Sequence, residues 1–248
     1  MKAVALNSSP KMQAGNTALI LDPFLEGMRE AGAEVDLFYT RRLKVNPCLG
    51  CLYCWLHEPG VCGLRDDMDI LEPKLRAAEL LVLATPLYMD GMTGSLKNIL
   101  DRMATRAEPL FEMRDGRCRH PVRAWIRTKA IALVSSCGLW EMDNFDPLLN
   151  HLRAVCENFG VAFAGALLRP HGEAMRLLQE AGEVPGGILE AAREAGRQFG
   201  RGETIRREVQ AAVSRELLPR DRYIEAVNRH LRERLAAAGY RPPGSPVH

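Results

Sequence analysis

Apolar positions in the first 170 residues fall into short runs separated by helical stripes. "KAVAL" (2–6) is strand-sized and stops at Asn7-Ser8-Ser9-Pro10, which reads as a buried strand entering a loop. A helix is expected from Asn16 or Thr17, both N-cap types. It carries Leu19, Ile20, Phe24, Leu25 and Met28 on one face and stops at Gly32. "EVDLFYT", "ELLVLATP", "KAIALVSSCG" and "VAFAGALL" are four more strand candidates. "DDMDILEPKLRAA", "GSLKNILDRM" and "FDPLLNHLRAVCENFG" read as helices between them. The cysteine-bearing stretch 46–64 reads as an irregular loop, and residues 104–128, mixing charge, Pro and Gly, as a long loop or flap.

This alternation predicts an α/β fold: a doubly wound, five-stranded parallel sheet with helices on both faces. Right-handed crossovers collect the strand exits along one edge, where ligands bind in such sheets. Loops 7–17, 85–93 and 135–141 should meet there, with the cysteine loop as a fourth on the same rim. The segment 187–239 is rich in Arg, Glu and Ala and reads as helices. Its stripes Ile205/Val209/Val213 and, beyond Pro219, Val227/Leu231/Leu235 suit packing on the parent domain or on another subunit. "RPPGSPVH" reads as a frayed tail. The expected division is residues 1–200 as the main domain and 201–248 as a helical C-terminal extension and tail.

Composition adds a setting. The chain has 248 residues, 47% hydrophobic, with a net charge of +2. That balance disfavours a nucleic-acid partner. No run is long enough to cross a bilayer, and no signal-peptide core opens the chain, so no membrane partner and a cytoplasmic location are expected. Disulfides are disfavoured in a reducing compartment. Seven cysteines, four of them within 48–62, then ask for a ligand or a reactive role.

Three loops carry candidate chemistry. "NSSPKMQAGNT" offers hydroxyls at Ser9 and Thr17, the Asn16 amide, the Lys11 cation and free N–H groups at a helix start, the parts of a phosphate cradle. A plain Ser/Asn helix cap is the competing account. It lacks both "GK[ST]" and "GxGxxG", so neither a P-loop nor an ordinary dinucleotide fold is expected. "TPLYMDGMTG" sets Pro86 and Tyr88 beside flexible glycines and suits one side of a planar ring. "SSCGLWE" supplies Ser136, Gly138 and Trp140 for the remaining edge. The aromatics also suit a core or rim position.

Together these motifs resemble the flavodoxin-like NAD(P)H-dependent FMN reductases over residues 1–170. Their "GSPR…GNT" loop stands here as "SSPK…GNT", and their "P-x-Y" loop followed by "G-x-LK-x-x-x-DR" as "PLYMDGMTGSLKNILDR". Ser8 replaces the usual Gly and Lys11 the usual Arg. The resemblance implies FMN, with its phosphate at Ser9, Lys11, Asn16 and Thr17. It places the ring against Pro86, Leu87, Tyr88 and Met89, and against Ser136 and Gly138. It also implies a homodimer or homotetramer.

Within that family, the iron–sulfur flavoproteins carry a C-x2-C-x2-C-x(4–7)-C motif, and Cys48, Cys51, Cys54 and Cys62 fit it. The resemblance thus implies a [4Fe–4S] cluster; zinc and mere thiol packing are the alternatives. His57, inside this loop, is either a donor to a cluster sulfur or an exposed residue. The Arg114, Arg117, Arg119 and Arg123 run either grips a nicotinamide cofactor's phosphates or is a solvated face. The expected function is an FMN oxidoreductase passing electrons from NAD(P)H, or from a ferredoxin-type protein, to an acceptor. An FMN-only quinone, nitro or azo reductase and a non-catalytic electron carrier or redox sensor are the alternatives. No catalytic side chain is expected beyond the cofactor's surroundings.

Overall fold

The computed structural model describes residues 1–183 and 186–240; the expected frayed tail, 241–248, lies outside them. Five parallel strands form the sheet: β1 (Lys2–Asn7), β2 (Glu34–Tyr39), β3 (Leu80–Pro86), β6 (Ala130–Ser136) and β7 (Ala162–Arg169), in spatial order β2-β1-β3-β6-β7. β4 (Glu112–Arg114) and β5 (Arg117–Arg119) form a separate hairpin. The strand order reverses direction beside β1, which places the ligand crevice at the carboxyl ends of β1 and β3.

Successive strand residues point to opposite faces, and the core divides accordingly. Ala3, Ala5, Leu80, Val82, Ala132 and Val134 meet α1 (Asn16–Glu30), α6 (Gly172–Glu180), α7 (Gly186–Gly200) and α8 (Arg207–Ser214). Val4, Leu6, Leu81, Leu83, Ile131 and Leu133 meet α3 (Met68–Ala77), α4 (Gly94–Arg102) and α5 (Asp146–Phe159). Ile205, Val209 and Val213 are buried in the first of these clusters. At the sheet edge Gln210 accepts the Ala166 N–H (3.0 Å), and the Ile205 N–H reaches the Ala164 carbonyl (2.8 Å), covering an otherwise open strand. The stripe on α9 (Arg220–Ala237) behaves differently. Only Tyr223 in its first turn is buried, while Leu231 and Leu235 stay exposed. Docking at one end leaves the rest of the helix without a core to face.

Three local expectations need correction. The residue preceding α1 is Gly15, so Asn16 and Thr17 occupy the first turn instead of capping it. A Cβ at Gly15 would overlap the Ser9 hydroxyl, so only glycine lets the loop close this tightly. The stretch 46–64 contains one helical turn, α2 (Tyr53–Leu56). The 104–128 flap contains the β4–β5 hairpin, turned at Asp115-Gly116 with both φ values positive, the pair that a tight hairpin favours.

The largest correction concerns the cysteine loop. Instead of staying at the rim, the chain after β2 runs down along α4. The Thr40 hydroxyl meets the Ser95 hydroxyl in the first turn of α4 (2.8 Å), and the Asn46 carbonyl accepts from Arg102 in its last (3.0 Å). The eight-residue rise from Gly94 to Arg102 is roughly 12 Å. Asp66 pins the lower end, accepting from Arg102 Nη1 (2.7 Å) and from the Asn46 N–H (2.9 Å) with both ionic side chains buried. Burial alone would raise the Asp66 carboxyl, but Arg102 and the Asn46 and Met68 N–H groups outweigh it and hold its pKa at about 2.

Two tests follow from this packing. α1 crosses α7 through glycines: a Cβ on Gly27 would overlap the Arg193 carbonyl, and one on Gly196 the Phe24 carbonyl. Alanine ordinarily favours a helix over glycine; here Gly27→Ala or Gly196→Ala is expected to destabilise by about 1–3 kcal/mol in urea unfolding. For Asp66, the folded pKa lies below the ordinary value, so its contribution is complete above about pH 4. It is lost as pH falls towards 2, an amount of roughly 2 kcal/mol. Unfolding free energies at pH 7 and pH 3 should show about half of that decline, roughly 1 kcal/mol, from this group in the parent, and a smaller decline in Asp66→Asn.

Candidate functional site

The carboxyl rim is tied together at Ser136. Its hydroxyl pairs with that of Thr17 (2.9 Å), and its carbonyl accepts the Leu87 N–H (2.8 Å). One residue therefore links all three loops expected to hold a ligand. Ser8 joins the first loop to β3 as well, donating from its side chain (3.0 Å) and its N–H (2.8 Å) to the Ala84 carbonyl. Ser9, Thr17 and Ser136 are buried, whereas Lys11 is exposed.

The first loop has an open set of donors. Asn16 and Thr17 begin α1, and their N–H groups have no acceptor among the described residues, as at any helix start. Asn7, the last residue of β1, is a site residue that the sequence reading missed. Its Oδ1 accepts the Ser9 N–H (2.9 Å), and its buried Nδ2 has no partner. A polar residue ending an otherwise apolar strand was the available signal. The Asn16 side chain, by contrast, is engaged. Its amide donates to Glu173 (2.9 Å) and accepts from Arg176 Nε (2.7 Å), and Arg176 also donates to the Ala14 carbonyl (2.6 Å). An anion in this loop would therefore meet the Asn16 N–H, with Arg176 favourable and Glu173 unfavourable nearby.

In the second loop Tyr88 and Gly91 exchange two backbone hydrogen bonds (2.9 and 3.0 Å) around Met89 and Asp90, both at positive φ. Holding two non-glycine residues there costs free energy and marks a loop shaped for a purpose. The turn lifts Met89 to 99% exposure and leaves Tyr88 half exposed. Pro86 stands just below, at the end of β3.

The third loop leans on the C-terminal segment. The Tyr223 hydroxyl donates to the Gly138 carbonyl (2.6 Å) and the Trp140 indole to the Leu218 carbonyl (3.2 Å). Behind them Arg169 is fully buried without a carboxylate. Its guanidinium donates to the Val213, Ser214 and Arg215 carbonyls (2.7, 3.2 and 2.7 Å), the negative end of α8. Burial pulls its pKa down to about 10. His171, stacked on Trp140, is pulled to about 4 by burial and by Arg169. It is therefore neutral near pH 7, and its Nε2 accepts the Leu217 N–H (3.2 Å). These supports lie 28 residues or more beyond the loop they hold, and no short motif announces them.

Cys48, Cys51, Cys54 and Cys62 line one cavity of about 140 Å³ at the foot of α4, together with Arg102 and Thr105. Burial, then the Cys62 sulfur, raises the Cys54 thiol, with smaller contributions from Cys48 and Cys51. The N–H groups of residues 48–54 have no acceptor among the described residues. Gly50 and Leu52 adopt positive φ to turn the chain around the cavity. Four thiolates on one zinc would stand about 3.8 Å apart, from a tetrahedral Zn–S of 2.3 Å. Among the described residues no three His, Cys, Asp or Glu side chains are grouped closely enough to share an ion. The thiols thus surround a space instead of converging on a point. His57 is exposed and stacks on Tyr53. Of the flap arginines, Arg114 donates to the Asn158 carbonyl (2.7 Å), Arg119 bonds Asn158, and buried Arg123 donates to the Thr105 and Cys54 carbonyls (2.9 and 3.4 Å).

Among the described residues no helix is long and apolar enough to cross a membrane. Residues 1–167 match the profile of the NADPH-dependent FMN reductases. An iron–sulfur flavoprotein of Methanocaldococcus jannaschii is 33% identical over 102 residues, 41% of this chain and 51% of the relative. One from Methanosarcina thermophila is 30% identical over 115 residues, 46% and 59% of the two chains. The chain thus spans about half the length of the curated relatives it matches. Two solved structures share the fold. An NAD(P)H:quinone oxidoreductase from Methanothermobacter marburgensis has a TM-score of 0.56 at 19% identity, over 80% of this chain and 96% of that one. An FMN-dependent NADH-azoreductase from Bacillus anthracis scores 0.55 at 13%, over 80% and 97%. A flavodoxin-like sheet with its loops gathered at Ser136, and a profile match over two thirds of the sequence, make this chain a member of the NADPH-dependent FMN reductase family.

Proposed function

We propose that this protein is an FMN-dependent oxidoreductase that draws electrons from NAD(P)H or a ferredoxin-type donor, with a [4Fe–4S] cluster at Cys48, Cys51, Cys54 and Cys62. The observation that carries the flavin site is the pair of hydrogen bonds joining Ser136 to Thr17 and to Leu87. They unite a loop suited to a phosphate with two loops suited to a flat ring. The residues present fit FMN. Ser9 and the Asn16 and Thr17 N–H groups would hold the phosphate, Lys11 would add a cation at the mouth, and Asn7 Nδ2 is an unpartnered buried donor. Tyr88 and Met89 on one loop, and Ser136 and Gly138 on another, would bracket the ring, with Pro86 and Leu87 beneath. FMN, when bound, takes up a hydride and gives electrons singly. The chain's own part is to grip the phosphate, orient the ring and hold water away from its inner edge.

The cysteine cavity fits a cluster by its four thiols, its free N–H donors and its buried arginine. The iron–sulfur naming of the curated relatives supports the same assignment. Cys48 and Cys51 are exposed, which leaves that centre open to an outside partner. A second reading, an FMN-only quinone, nitro or azo reductase, is favoured by one observation. The cysteines sit roughly a helix length from the rim, so flavin chemistry at the rim does not require them. Homo-oligomerisation is part of the proposal, and the exposed Ile224, Leu231 and Leu235 on α9 are available to it.

Anaerobic purification followed by iron, sulfide and flavin assays tests the assignment. FMN with about four iron atoms per chain is expected; flavin without iron would leave the FMN-only reading. Mixing with NADPH or NADH should bleach the flavin band. Bleaching by a reduced ferredoxin alone would move the donor to a protein. The Ser9→Ala/Thr17→Ala variant should bind FMN roughly 100-fold more weakly, having lost the Ser9 hydroxyl offered to the phosphate and the Thr17–Ser136 bond that joins the loops. Parental affinity in a fluorescence titration would remove the phosphate site.

A further inference from the structure

Arg102 closes α4 directly beneath the cysteine cavity. Its side chain is 1% exposed. One edge of the guanidinium is occupied: Nη1 donates to Asp66 Oδ2 and to the Asn46 carbonyl (2.7 and 3.0 Å), and Nη2 to Asp66 Oδ1 (3.3 Å). Nε, on the other edge, has no acceptor although it is buried. A buried donor without a partner is uncommon and asks for a reason.

The surroundings supply one. Arg102 and Cys62 together line the 140 Å³ cysteine cavity, and together they also line a second cavity of about 430 Å³ on the α3 side. The two side chains therefore form a shared partition between the cavities. His57, the other candidate donor in this loop, is exposed and stacked on Tyr53.

We propose that Arg102 tunes the cysteine centre: held by Asp66, it presents its free Nε–H to the Cys62 sulfur and makes one-electron reduction of a cluster there easier. This rests on the cluster assignment made above. Reduction adds negative charge to the cluster and its sulfurs, so a hydrogen-bond donor and a cation beside one ligand stabilise the reduced state more than the oxidised one. Asp66 neutralises much of the distant field of the guanidinium, so the effect is local and acts through Cys62, the cysteine that lines both cavities with Arg102. Arg102 is a positioning and tuning residue, and none of the reacting atoms of a substrate need meet it.

The test is a potentiometric titration of the anaerobically purified protein, followed by EPR of the reduced cluster and by flavin absorbance. Replacing Arg102 alone would strand a buried carboxylate, so Arg102→Met is made together with Asp66→Asn, and Arg102→Lys serves as the milder variant. The expected result is iron content equal to the parent and a tenfold less favourable cluster reduction in the double variant, about 59 mV for one electron. Arg102→Lys should shift in the same direction by less, because an ammonium cannot present the Nε–H at that point. The flavin potential, set at the far end of α4, should not move. A cluster potential unchanged in both variants at full iron content would overturn the proposal. So would loss of iron from both, which would make Arg102 a support of the loop alone. Absence of iron from the parent protein would instead remove the cluster assignment itself, and this inference with it.

Discussion

The Ser136–Thr17 hydrogen bond is the contact on which the rest of the rim depends. A parallel sheet brings its loops to one edge but does not fix their spacing. Here the buried Ser136 hydroxyl sets the distance between the start of α1 and the exit of β6, while its carbonyl holds the exit of β3 through Leu87. Around that point each loop has its own brace. Gly15 lets the first close onto Ser9, the Tyr88–Gly91 turn stiffens the second, and Tyr223 holds the third from the C-terminal segment. A rigid, pre-spaced rim is what a flat cofactor needs if binding is not to be spent on ordering loops.

α4 sets the second length in the molecule. Its first turn belongs to the rim, through Thr93 and Ser95; its last belongs to the cysteine cavity, through Arg102. The chain from Thr40 to Asn46 follows the same axis. The two candidate redox centres are therefore joined by one short helix and held apart by its length. The Asp66–Arg102 pair serves stability and placement together: it secures the descending strand of chain and aims a donor at Cys62.

The features legible in the sequence were those set by local pattern. Apolar runs closed by Pro86 or by Asn7-Ser8-Ser9 became β3 and β1, and the Ser/Asn/Gly loop became a helix start with open N–H groups. The quartet Cys48, Cys51, Cys54 and Cys62 does share one cavity. What pattern missed was tertiary. Nothing near residue 40 says that Thr40 will pair with Ser95 and draw the cysteine loop off the rim. Nothing near Asn16 names Glu173 and Arg176, about 160 residues later, as partners of its amide. The Leu231/Leu235 stripe has the spacing of a buried face, yet only the first turn of α9 is docked. Asp115-Gly116 was a local signal for a hairpin, hidden by the charged and proline-rich composition around it.

Counting electrons tests the account at its centre. Anaerobic reductive titration of the purified protein, followed by flavin absorbance and by EPR, should consume about three electron equivalents per chain: two for FMN and one for the cluster. Uptake of two, all of it at the flavin, would contradict the cluster assignment, and uptake of none would contradict the flavin site as well.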